Sequence, residues 1–332
     1  MWSAFTVLVL ISACLFAPSA RASKITSGTW NLSEQRTVVK AGLMTNLAVG
    51  FQGEQPLTDS EMQSSIAALA TSESTSPITI STSAPLTVVR FDALLVDQLG
   101  LGDVASIVQS QAAAAGLNPP SYFGTEVVAR YLSLLYMQPT QYEALELYPT
   151  NLITRAEAAH SFSVILGFSG WQVEQAREVL STFTLPHYSA AQRQVLSLAV
   201  SKIGMPYVWG GTTDDTSDGL AHGGYDCSGF AWRVYKVSGF SWGKQILGRT
   251  AAEQAGEIPK SQRLHLSEVQ GGDLLFFGSA HFNSKATESN VIHEGIALSN
   301  QWAIHSSDQG VYVLPLSSGW LAESFTWARR VL

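Results

Sequence analysis

The chain has 332 residues, of which 46% are apolar and 14% are charged, so it has enough material for packed cores in about two domains. Its formal net charge is −7, and the sequence contains no run of Lys or Arg of the kind that binds a phosphate backbone. We therefore expect a globular protein that does not bind nucleic acid. Attachment to a membrane or a cell wall would need a specific module or a lipid.

The first 22 residues have the pattern of an export signal. Residues 5–16 are almost wholly apolar but too few to span a bilayer, and Ala-Arg-Ala at 20–22 is typical of a cleavage site. Ile-Ser-Ala-Cys at 11–14 resembles the lipobox of bacterial lipoproteins, which would make Cys14 a lipidated first residue. We expect an exported protein without a membrane span, secreted or associated with the cell wall, with a lipid anchor at Cys14 as the alternative.

Residues 23–85 are rich in Ser and Thr, and 71–83 form a low-complexity stretch typical of a loop or linker. Within this segment Thr58 and Glu61 have the spacing of a capping box, which predicts the start of a helix. We therefore expect a Ser/Thr-rich segment that contains some helix.

Residues 86–183 have the spacing of several amphipathic helices, which must pack together to cover their apolar faces. The face-forming residues fall into three groups: Phe91, Leu94, Leu95, Gln98 and Leu99; Val128, Tyr131, Leu132 and Leu135; and Phe162, Ile165 and Leu166. We expect a mostly α-helical domain over this range.

One run in this region repeats along the chain. Tyr-Pro-Thr-Asn-Leu-Ile-Thr-Arg-Ala-Glu-Ala-Ala at 148–159 resembles S-layer homology modules, with Thr154 and Glu157 as a capping box before a helix. Residues 89–93 and the capping box of the Ser/Thr-rich segment are degenerate copies of it. The resemblance implies a module that binds a cell-wall polymer, but the usual turn with Gly and Asp before Thr-Arg-Ala-Glu is absent. A helical spacer, or a domain that packs on the cleft of its neighbour, is the alternative.

A second folded unit is predicted over 189–332, after a linker at 184–188 that contains Pro186. Ser189 and Gln192 have the spacing of a capping box and begin an amphipathic pattern. We therefore expect a helix to open the C-terminal domain.

Cys227 is the only thiol that remains once the export signal is removed, so no intrachain disulfide can form. A lone thiol in an exported protein is either buried and inert or used as a nucleophile. Asp226 is a natural N-cap, and it places Cys227 in the first turn of a helix, where backbone N–H groups and the macrodipole favour the thiolate. We predict a nucleophilic thiol with a depressed pKa.

Four short strands are predicted after this helix. They are apolar runs bounded by turn residues, at 272–277, 291–298, 302–306 and 310–316. Their close succession predicts a meander of antiparallel strands.

A proton partner for the thiol must come from the histidines that follow residue 189. The candidates are His222, His265, His281, His293 and His305. His293 and His305 lie in successive predicted strands, so pairing of those strands can bring the two imidazoles together. The other three lie in predicted loops.

Several motifs of this domain, taken in chain order, resemble those of the NlpC-type peptidoglycan endopeptidases. They are Tyr-Val-Trp-Gly-Gly at 207–211, Asp-Cys-Ser-Gly-Phe at 226–230, Arg-Thr at 249–250, Gly-Asp-Leu-Leu-Phe-Phe at 272–277, Ile-His-Glu-Gly-Ile at 292–296 and Ile-His at 304–305. The resemblance covers about residues 189–332. It implies a papain-like α+β domain, in which a helix that bears the Cys packs on an antiparallel sheet.

The resemblance also implies the role of each site residue. Cys227 would be the nucleophile, His293 the general base and acid, and His305 the residue that orients it. The residues expected around the substrate or the oxyanion are Tyr207, Asp226, Ser228 and Gly229. No cofactor and no metal ion is expected, since a metal site built from the Cys and the two His residues would lack a fourth ligand.

The reaction implied is hydrolysis of an amide bond in the peptidoglycan stem peptide through a thioester, typically between γ-D-glutamate and the diamino acid. Two alternatives remain. One is an amidase with the same machinery, which cuts between muramic acid and the first alanine. The other is a non-catalytic protein that binds the cell wall.

This sequence departs from the family pattern in three places, one of which is a Gly before Gly-Asp at 272–273 where Pro is commoner. The link at 212–224 is longer than usual, and is either a solvated insertion or a segment that lines or covers the cleft. Glu294 follows His293 where a small or apolar residue is commoner. Because neighbouring side chains of a strand point to opposite faces, we expect Glu294 to point away from His293 and to lie on the surface.

Overall fold

The structure is a computed structural model that describes residues 26–332, except for 71–82, 136–144, 215–222, 238, 281, 283 and 284. The predicted export signal with Cys14, nearly all of the low-complexity stretch, most of the link at 212–224, and His222 and His281 lie outside the described residues. The described parts of the chain contain no helix that is both long and apolar enough to cross a lipid bilayer.

The first half of the described chain is built from helices, as the spacing of its apolar residues predicts. They are α1 (Leu32–Lys40), α2 (Asp59–Ala70), α3 (Val88–Gln98), α4 (Gly102–Ala114), α5 (Phe123–Tyr131), α6 (Arg155–Leu166) and α7 (Trp171–Ser181). Their apolar faces share one core, in which Phe91, Leu95, Val128 and Phe162 are completely buried. The rings of Phe91 and Phe162 meet edge to face with centroids 5.7 Å apart, which joins α3 to α6. The predicted α-helical character of this region is confirmed.

Threonine side chains cap two of these helices. The Thr58 hydroxyl accepts a hydrogen bond from Glu61 N (3.3 Å), and the Glu61 carboxylate accepts one from Thr58 N (3.0 Å). The Thr154 hydroxyl accepts one from Glu157 N (3.1 Å). Helices α2 and α6 each begin at the residue after the predicted cap. These bonds satisfy N–H groups that the start of a helix leaves without an internal partner.

The segments that precede α2, α3 and α6 are joined in a closed ring of backbone hydrogen bonds. Leu57 N donates to Ile153 O, Ile153 N to Leu86 O, and Leu86 N to Leu57 O, each over 2.9 Å. In each segment a Thr follows, and the helix begins directly after it. The repeat seen in the sequence is therefore one structural unit, although its middle copy begins at Thr87, two residues earlier than the sequence comparison placed it.

Arg155, in the run that resembles S-layer homology modules, is buried inside this unit. Its guanidinium pairs with Glu61, donates to the carbonyls of Phe51 (3.0 Å) and Thr45 (2.5 Å), and lies over the Phe51 ring. These partners all belong to earlier segments, so Arg155 ties the segments together. The resemblance to S-layer homology modules stays a prediction, and the Arg of the run is used for internal packing.

The second half combines helices with two sheets. Its helices are α8 (Ala190–Val200), α9 (Cys227–Trp232), α10 (Ala251–Gly256) and α11 (Gly319–Ser324). The capping box of α8 is present, since Ser189 Oγ accepts from Gln192 N (3.2 Å) and the Gln192 side chain accepts from Ser189 N (2.9 Å). Helix α9 passes directly into a π turn at Arg233–Val237.

The main sheet has five antiparallel strands in the spatial order β6-β5-β4-β3-β7. After a two-stranded pair formed by β1 (Thr212–Thr213) and β2 (Gly224–Tyr225), the strands of this sheet are β3 (Leu274–Gly278), β4 (Val291–Ala297), β5 (Trp302–Ser307), β6 (Gly310–Pro315) and β7 (Phe325–Arg329). The predicted meander β3 to β6 is confirmed, as is the α+β class. Strand β7 was not predicted, and it turns β3 into an interior strand by pairing Trp327 with Phe276.

The helical half packs directly against the half that contains the sheet. Arg130, near the end of α5, donates to the carbonyls of Gly204 (3.1 Å) and Gln309, and its Nε pairs with Glu126 (2.9 Å). Asp92 is completely buried beside this pair, and burial together with the Glu126 charge raises the pKa of Asp92 well above its usual range. Arg130 is thus the cation of a buried cluster with Glu126 and Asp92, at the interface between the two halves.

The residue before the segment 184–188, which was predicted as a linker, and the last residue of that segment both pack on the sheet half. The Phe183 ring meets the Trp302 ring with centroids 5.0 Å apart, and Tyr188 OH donates to Leu298 O over 2.6 Å. The assignment of this segment as a linker, and the domain bounds on either side of it, stay predictions.

Removing the Arg130 charge should destabilise the protein strongly. In Arg130→Met the buried carboxyl groups lose their cation, so we expect the free energy of unfolding to fall by about 3 kcal/mol. Arg177→Met is the matched control, because Arg177 pairs with Asp103 at the surface, and its loss should cost about 0.5 kcal/mol or less. Denaturant unfolding followed by circular dichroism measures both variants, and equal losses would contradict the role given to Arg130.

Candidate active site

Cys227 is the first residue of α9, and Asp226 is the N-cap of that helix. Asp226 Oδ1 accepts a hydrogen bond from Gly229 N over 2.6 Å, and Oδ2 accepts one from Gly210 N over 3.0 Å. The predicted cap is therefore present. It holds the first turn so that Cys227 lies where the open backbone N–H groups of the helix are concentrated.

Arg249 clamps the carboxylate of this cap. Two guanidinium nitrogens donate to the two oxygens of Asp226, each over 3.0 Å. The same group donates to the Ser228 hydroxyl (3.1 Å) and to the Gly211 carbonyl (3.2 Å). A bidentate pair fixes orientation as well as charge. The sequence analysis included Arg249 in a family motif without a role, since only the fold brings it to a carboxylate 23 positions away.

Ser228 and Gly229 follow Cys227 in the first turn of α9. A Cβ atom on Gly229 would stand 1.9 Å from the Gly211 carbonyl oxygen, a distance that no side chain tolerates. Ser228 is buried, and its carbonyl accepts a hydrogen bond from Gln254 over 3.4 Å. Gly229 is thus required by a close approach of two chain segments, and it is not among the residues that line the cavity at Cys227.

The two histidines of the predicted site meet across neighbouring strands. His305 on β5 stands opposite Gly295 on β4, two residues after His293. One hydrogen bond of 2.8 Å joins His293 Nε2 to His305 Nδ1, and the rings are nearly perpendicular, with centroids 5.0 Å apart. Both side chains are buried. The orientation of the His293 ring is therefore held by its neighbour.

A cavity of about 430 Å³ lies between Cys227 and His293. Cys227, His293 and Tyr207 all line it, together with Asp226 and Ser228. The exposed side chains of Trp209 and Ile292 also line it. The rest of the lining is formed by Thr250, Ala251, Ala252, Val291, Ser307 and Asp308. The structure thus brings the proposed nucleophile, the proposed base and the predicted tyrosine around one space, while His305 stands behind His293.

Burial controls the protonation of this site. Burial raises the pKa of the Cys227 thiol to about 12, with smaller contributions from the negative charges of Glu294 and Asp226. Burial also lowers the pKa of His293 to about 4, and the pKa of His305 lies well below its usual range. The expected depressed thiol pKa is therefore not observed, because desolvation outweighs the effect of the helix terminus. At neutral pH the thiol and both imidazoles are therefore neutral.

Glu294 is completely buried, so the prediction that it lies on the surface is wrong. The prediction assumed that one face of the strand carrying His293 is solvated. Instead both faces of β4 are covered, and α9 and α10 pack on this strand. Glu294 does point away from His293, but the face to which it points is also buried. Its burial raises its pKa well above the usual range.

Other candidate residues of the sequence lie apart from this cavity. The His265 ring packs on the Phe282 ring with centroids 3.6 Å apart. Asp214, at the start of the long link, forms ion pairs with Lys202 (2.5 Å) and Arg233 (3.7 Å). Within the described ranges, no group of three or more His, Cys, Asp or Glu side chains is arranged to hold a metal ion.

Comparison with known proteins assigns the part of the chain that holds this site. A family model described as the NlpC/P60 family matches residues 204–330. Residues 204–330 form an NlpC/P60 domain. The match includes Cys227, His293 and His305, so the whole hydrogen-bonded site lies inside the domain.

Three relatives illustrate the similarity of this chain to known proteins. The Gamma-D-glutamyl-L-lysine dipeptidyl-peptidase of Bacillus cereus (strain ATCC 10987 / NRS 248) is 28% identical over 213 residues, which are 62% of this chain and 57% of that protein. The Bifunctional muramidase/DL-endopeptidase CwlT of Bacillus subtilis (strain 168) is 33% identical over 126 residues, 38% of this chain and 32% of that protein. The Murein DD-endopeptidase MepH of Escherichia coli (strain K12) is 28% identical over 144 residues, 43% of this chain and 46% of that protein. The chain spans at most 57% of the length of these relatives.

The low pKa of His293 in the NlpC/P60 domain can be measured directly. We expect its ring to titrate near pH 4 in NMR spectra, below the 6.5 of an ordinary histidine, because burial penalises the charged ring. Trp320→Ala should move the midpoint upward, since the Trp320 ring covers His293 with centroids 5.4 Å apart. A midpoint near 6.5 in the unmodified protein would contradict the closed site.

Proposed function

We propose that the NlpC/P60 domain is a cysteine peptidase that hydrolyses peptidoglycan stem peptides between γ-D-glutamate and the diamino acid. The observation that carries this proposal is the hydrogen bond of 2.8 Å between His293 and His305, beside a cavity that His293 shares with Cys227. An isolated imidazole turns freely, whereas an imidazole held by a second one presents a fixed nitrogen to the sulfur. The names of the relatives support the choice of peptidoglycan as the substrate.

The reaction begins with a neutral thiol and a neutral imidazole. His293 accepts the proton of Cys227 while the sulfur attacks the amide carbonyl carbon. The carbonyl oxygen takes the negative charge, and the backbone N–H of Cys227 and the Tyr207 hydroxyl are the donors that stabilise it. His293 then gives its proton to the leaving amine, which leaves a thioester on Cys227. Water, activated by His293, hydrolyses that thioester and regenerates the thiol.

The choice of bond rests on one relative more than on the others. The relative from Bacillus cereus is named for the γ-D-glutamyl-L-lysine bond, and its alignment covers 62% of this chain. The relative from Escherichia coli is named a DD-endopeptidase, and its alignment covers 43%. We therefore place the cut after γ-D-glutamate. An enzyme with such a substrate acts outside the cytoplasmic membrane, which agrees with the export signal predicted from the sequence.

We assign the helical half a supporting role in this function. The Arg of the run that resembles S-layer homology modules is buried and paired with Glu61, so it is not presented to a wall polymer. The helices instead contact the domain through Arg130, which donates to Gly204 and Gln309.

Substitution of the nucleophile or the base should abolish hydrolysis. We expect Cys227→Ser and His293→Ala each to lower the rate of stem-peptide cleavage by about 10³-fold or more, because each removes one half of the attack step. Purified peptidoglycan is digested with the parent protein and each variant, and mass spectrometry identifies the fragments. Circular dichroism serves as the control for folding.

The fragments decide between the proposed function and its alternatives. Products that end at D-glutamate and disappear in Cys227→Ser support the proposal. Products cut between muramic acid and alanine would identify an amidase with the same machinery. Undiminished cleavage by Cys227→Ser would exclude a thiol mechanism.

The role of His305 can be separated from that of the base. His305→Ala should lower kcat by about 10²-fold, because the His293 ring loses the partner that orients it. His305→Gln should retain more activity than His305→Ala, since the amide can still hydrogen-bond to the ring. Steady-state kinetics on a stem-peptide substrate measures both, and equal losses in the two variants would show that hydrogen bonding to His293 is not the function of His305.

A further inference from the structure

A buried carboxyl group stands directly behind the proposed nucleophile. Glu294 follows His293 on β4, its side chain is 0% exposed, and its backbone amide lies against the Cys227 sulfur. Helix α9, which carries the thiol, and helix α10 both pack on this part of β4. A carboxyl at this position therefore needs an explanation from the site itself.

The carboxyl of Glu294 has no dedicated partner. No hydrogen-bond donor among the described residues contacts either of its oxygens. Arg329 on β7 faces the same side of the sheet, but it pairs with Glu257 and donates to the carbonyls of Gln254 (3.0 Å) and Gln245 (2.6 Å). Each nearby cation is thus already matched with another carboxylate.

The charged and titratable groups that face Glu294 lie on several elements. They are Asp226 and Cys227 at the start of α9, Tyr235 in the π turn, Arg249 and Glu257 on either side of α10, and Arg329 on β7. His293 and His305 lie on the other face of the sheet. Arg249 is bound by Asp226, and Arg329 is bound by Glu257. The surroundings therefore supply no net positive charge for a second anion.

Two negative charges in this space would repel each other with little solvent to screen them. One is the Glu294 carboxylate, and the other is the thiolate that Cys227 must become during attack. An ionised Glu294 would also be an isolated buried anion, which is strongly unfavourable. The proton equilibria of the two groups are consequently coupled.

We propose that Glu294 is a positioning residue for the nucleophile. The buried space between its carboxyl group and the Cys227 thiol accommodates one negative charge, so the thiolate forms readily only while Glu294 keeps its proton. The proposal rests on the proposed function, because it takes Cys227 as the group that attacks. The thiol proton goes to His293, as in the reaction above, and Glu294 exchanges no proton with the substrate. At high pH, loss of the Glu294 proton makes ionisation of the Cys227 thiol less favourable and so lowers its reactivity.

The test uses alkylation of Cys227 by iodoacetamide, which needs no peptidoglycan. The rate is followed between about pH 6 and pH 10 by mass spectrometry of the peptide that contains Cys227, in the unmodified protein and in Glu294→Gln. We expect similar rates at any pH at which Glu294 keeps its proton, since the side chain at position 294 is then neutral in both proteins. At the alkaline end we expect Glu294→Gln to react roughly tenfold faster, which corresponds to one pKa unit of the thiol.

Two further variants separate charge from structure. Glu294→Leu removes the charge without leaving a buried amide, and it should follow the same curve as Glu294→Gln. Glu323→Gln removes one charge from an exposed position of α11, and it should leave the curve unchanged. A ratio of rates that stays constant with pH, or curves of Glu294→Gln and the parent protein that coincide, would overturn the proposal.

The unmodified protein alone also provides a test if the variants fail to fold. Over the pH range in which Glu294 loses its proton, the alkylation rate should rise less steeply than the roughly tenfold per pH unit of an isolated thiol below its pKa, because the second negative charge opposes the thiolate. A tenfold rise per pH unit throughout would overturn the proposal. Since alkylation is independent of hydrolysis, a negative result here leaves the digestion experiment with Cys227→Ser intact, and failure of that experiment leaves the alkylation profile interpretable.

Discussion

The carboxylate of Asp226 is the contact on which the arrangement of the site depends. It caps α9, accepts a hydrogen bond from Gly210 in the preceding loop, and receives both arms of Arg249, so three chain segments meet on two oxygen atoms. Hydrogen bonds to a charged group are stronger than neutral ones. Because Cys227 is the next residue, these bonds set where its sulfur lies relative to β4. The same negative charge adds to the high pKa of the thiol, so the group that positions the sulfur also helps to keep it protonated at rest.

A buried, neutral site has a chemical consequence beyond catalysis. The thiolate is the form of cysteine that reacts with oxidants as well as with substrates. With the thiol pKa near 12 and the His293 pKa near 4, an ion pair between the two is not present in the unoccupied site. In the proposed reaction, negative charge therefore develops on the sulfur only when a carbonyl group is bound. Attack of the sulfur on the carbonyl carbon then moves that charge to the carbonyl oxygen. The neutral state at rest protects the Cys227 thiol from oxidants while leaving it available for attack.

The sequence predicts the parts of this site that follow from local rules, and it fails where distant segments decide. The cap at Asp226, the capping box of α8 and the strands β3 to β6 depend on spacing within a few residues, and the structure contains all of them. The burial of Glu294 depends on which helices cover β4, and the pairing of Arg249 with Asp226 depends on a fold that joins residues 23 positions apart. Strand β7 was missed for the same reason, because its alternation is hidden by burial on both faces.

The helical half meets the NlpC/P60 domain at segments that border the site. Arg130 donates to the carbonyl of Gln309. Gln309 follows Asp308, which lines the cavity and comes directly after β5, the strand of His305. Tyr148 OH donates to the carbonyl of Gly223 over 3.0 Å, at the start of the strand that leads into Asp226. The chain that follows His305 and the chain that precedes the Cys helix are thus each held from the helical side. Since both bonded segments lead directly to residues of the cavity, we expect a change that loosens either bond to alter the geometry of the site.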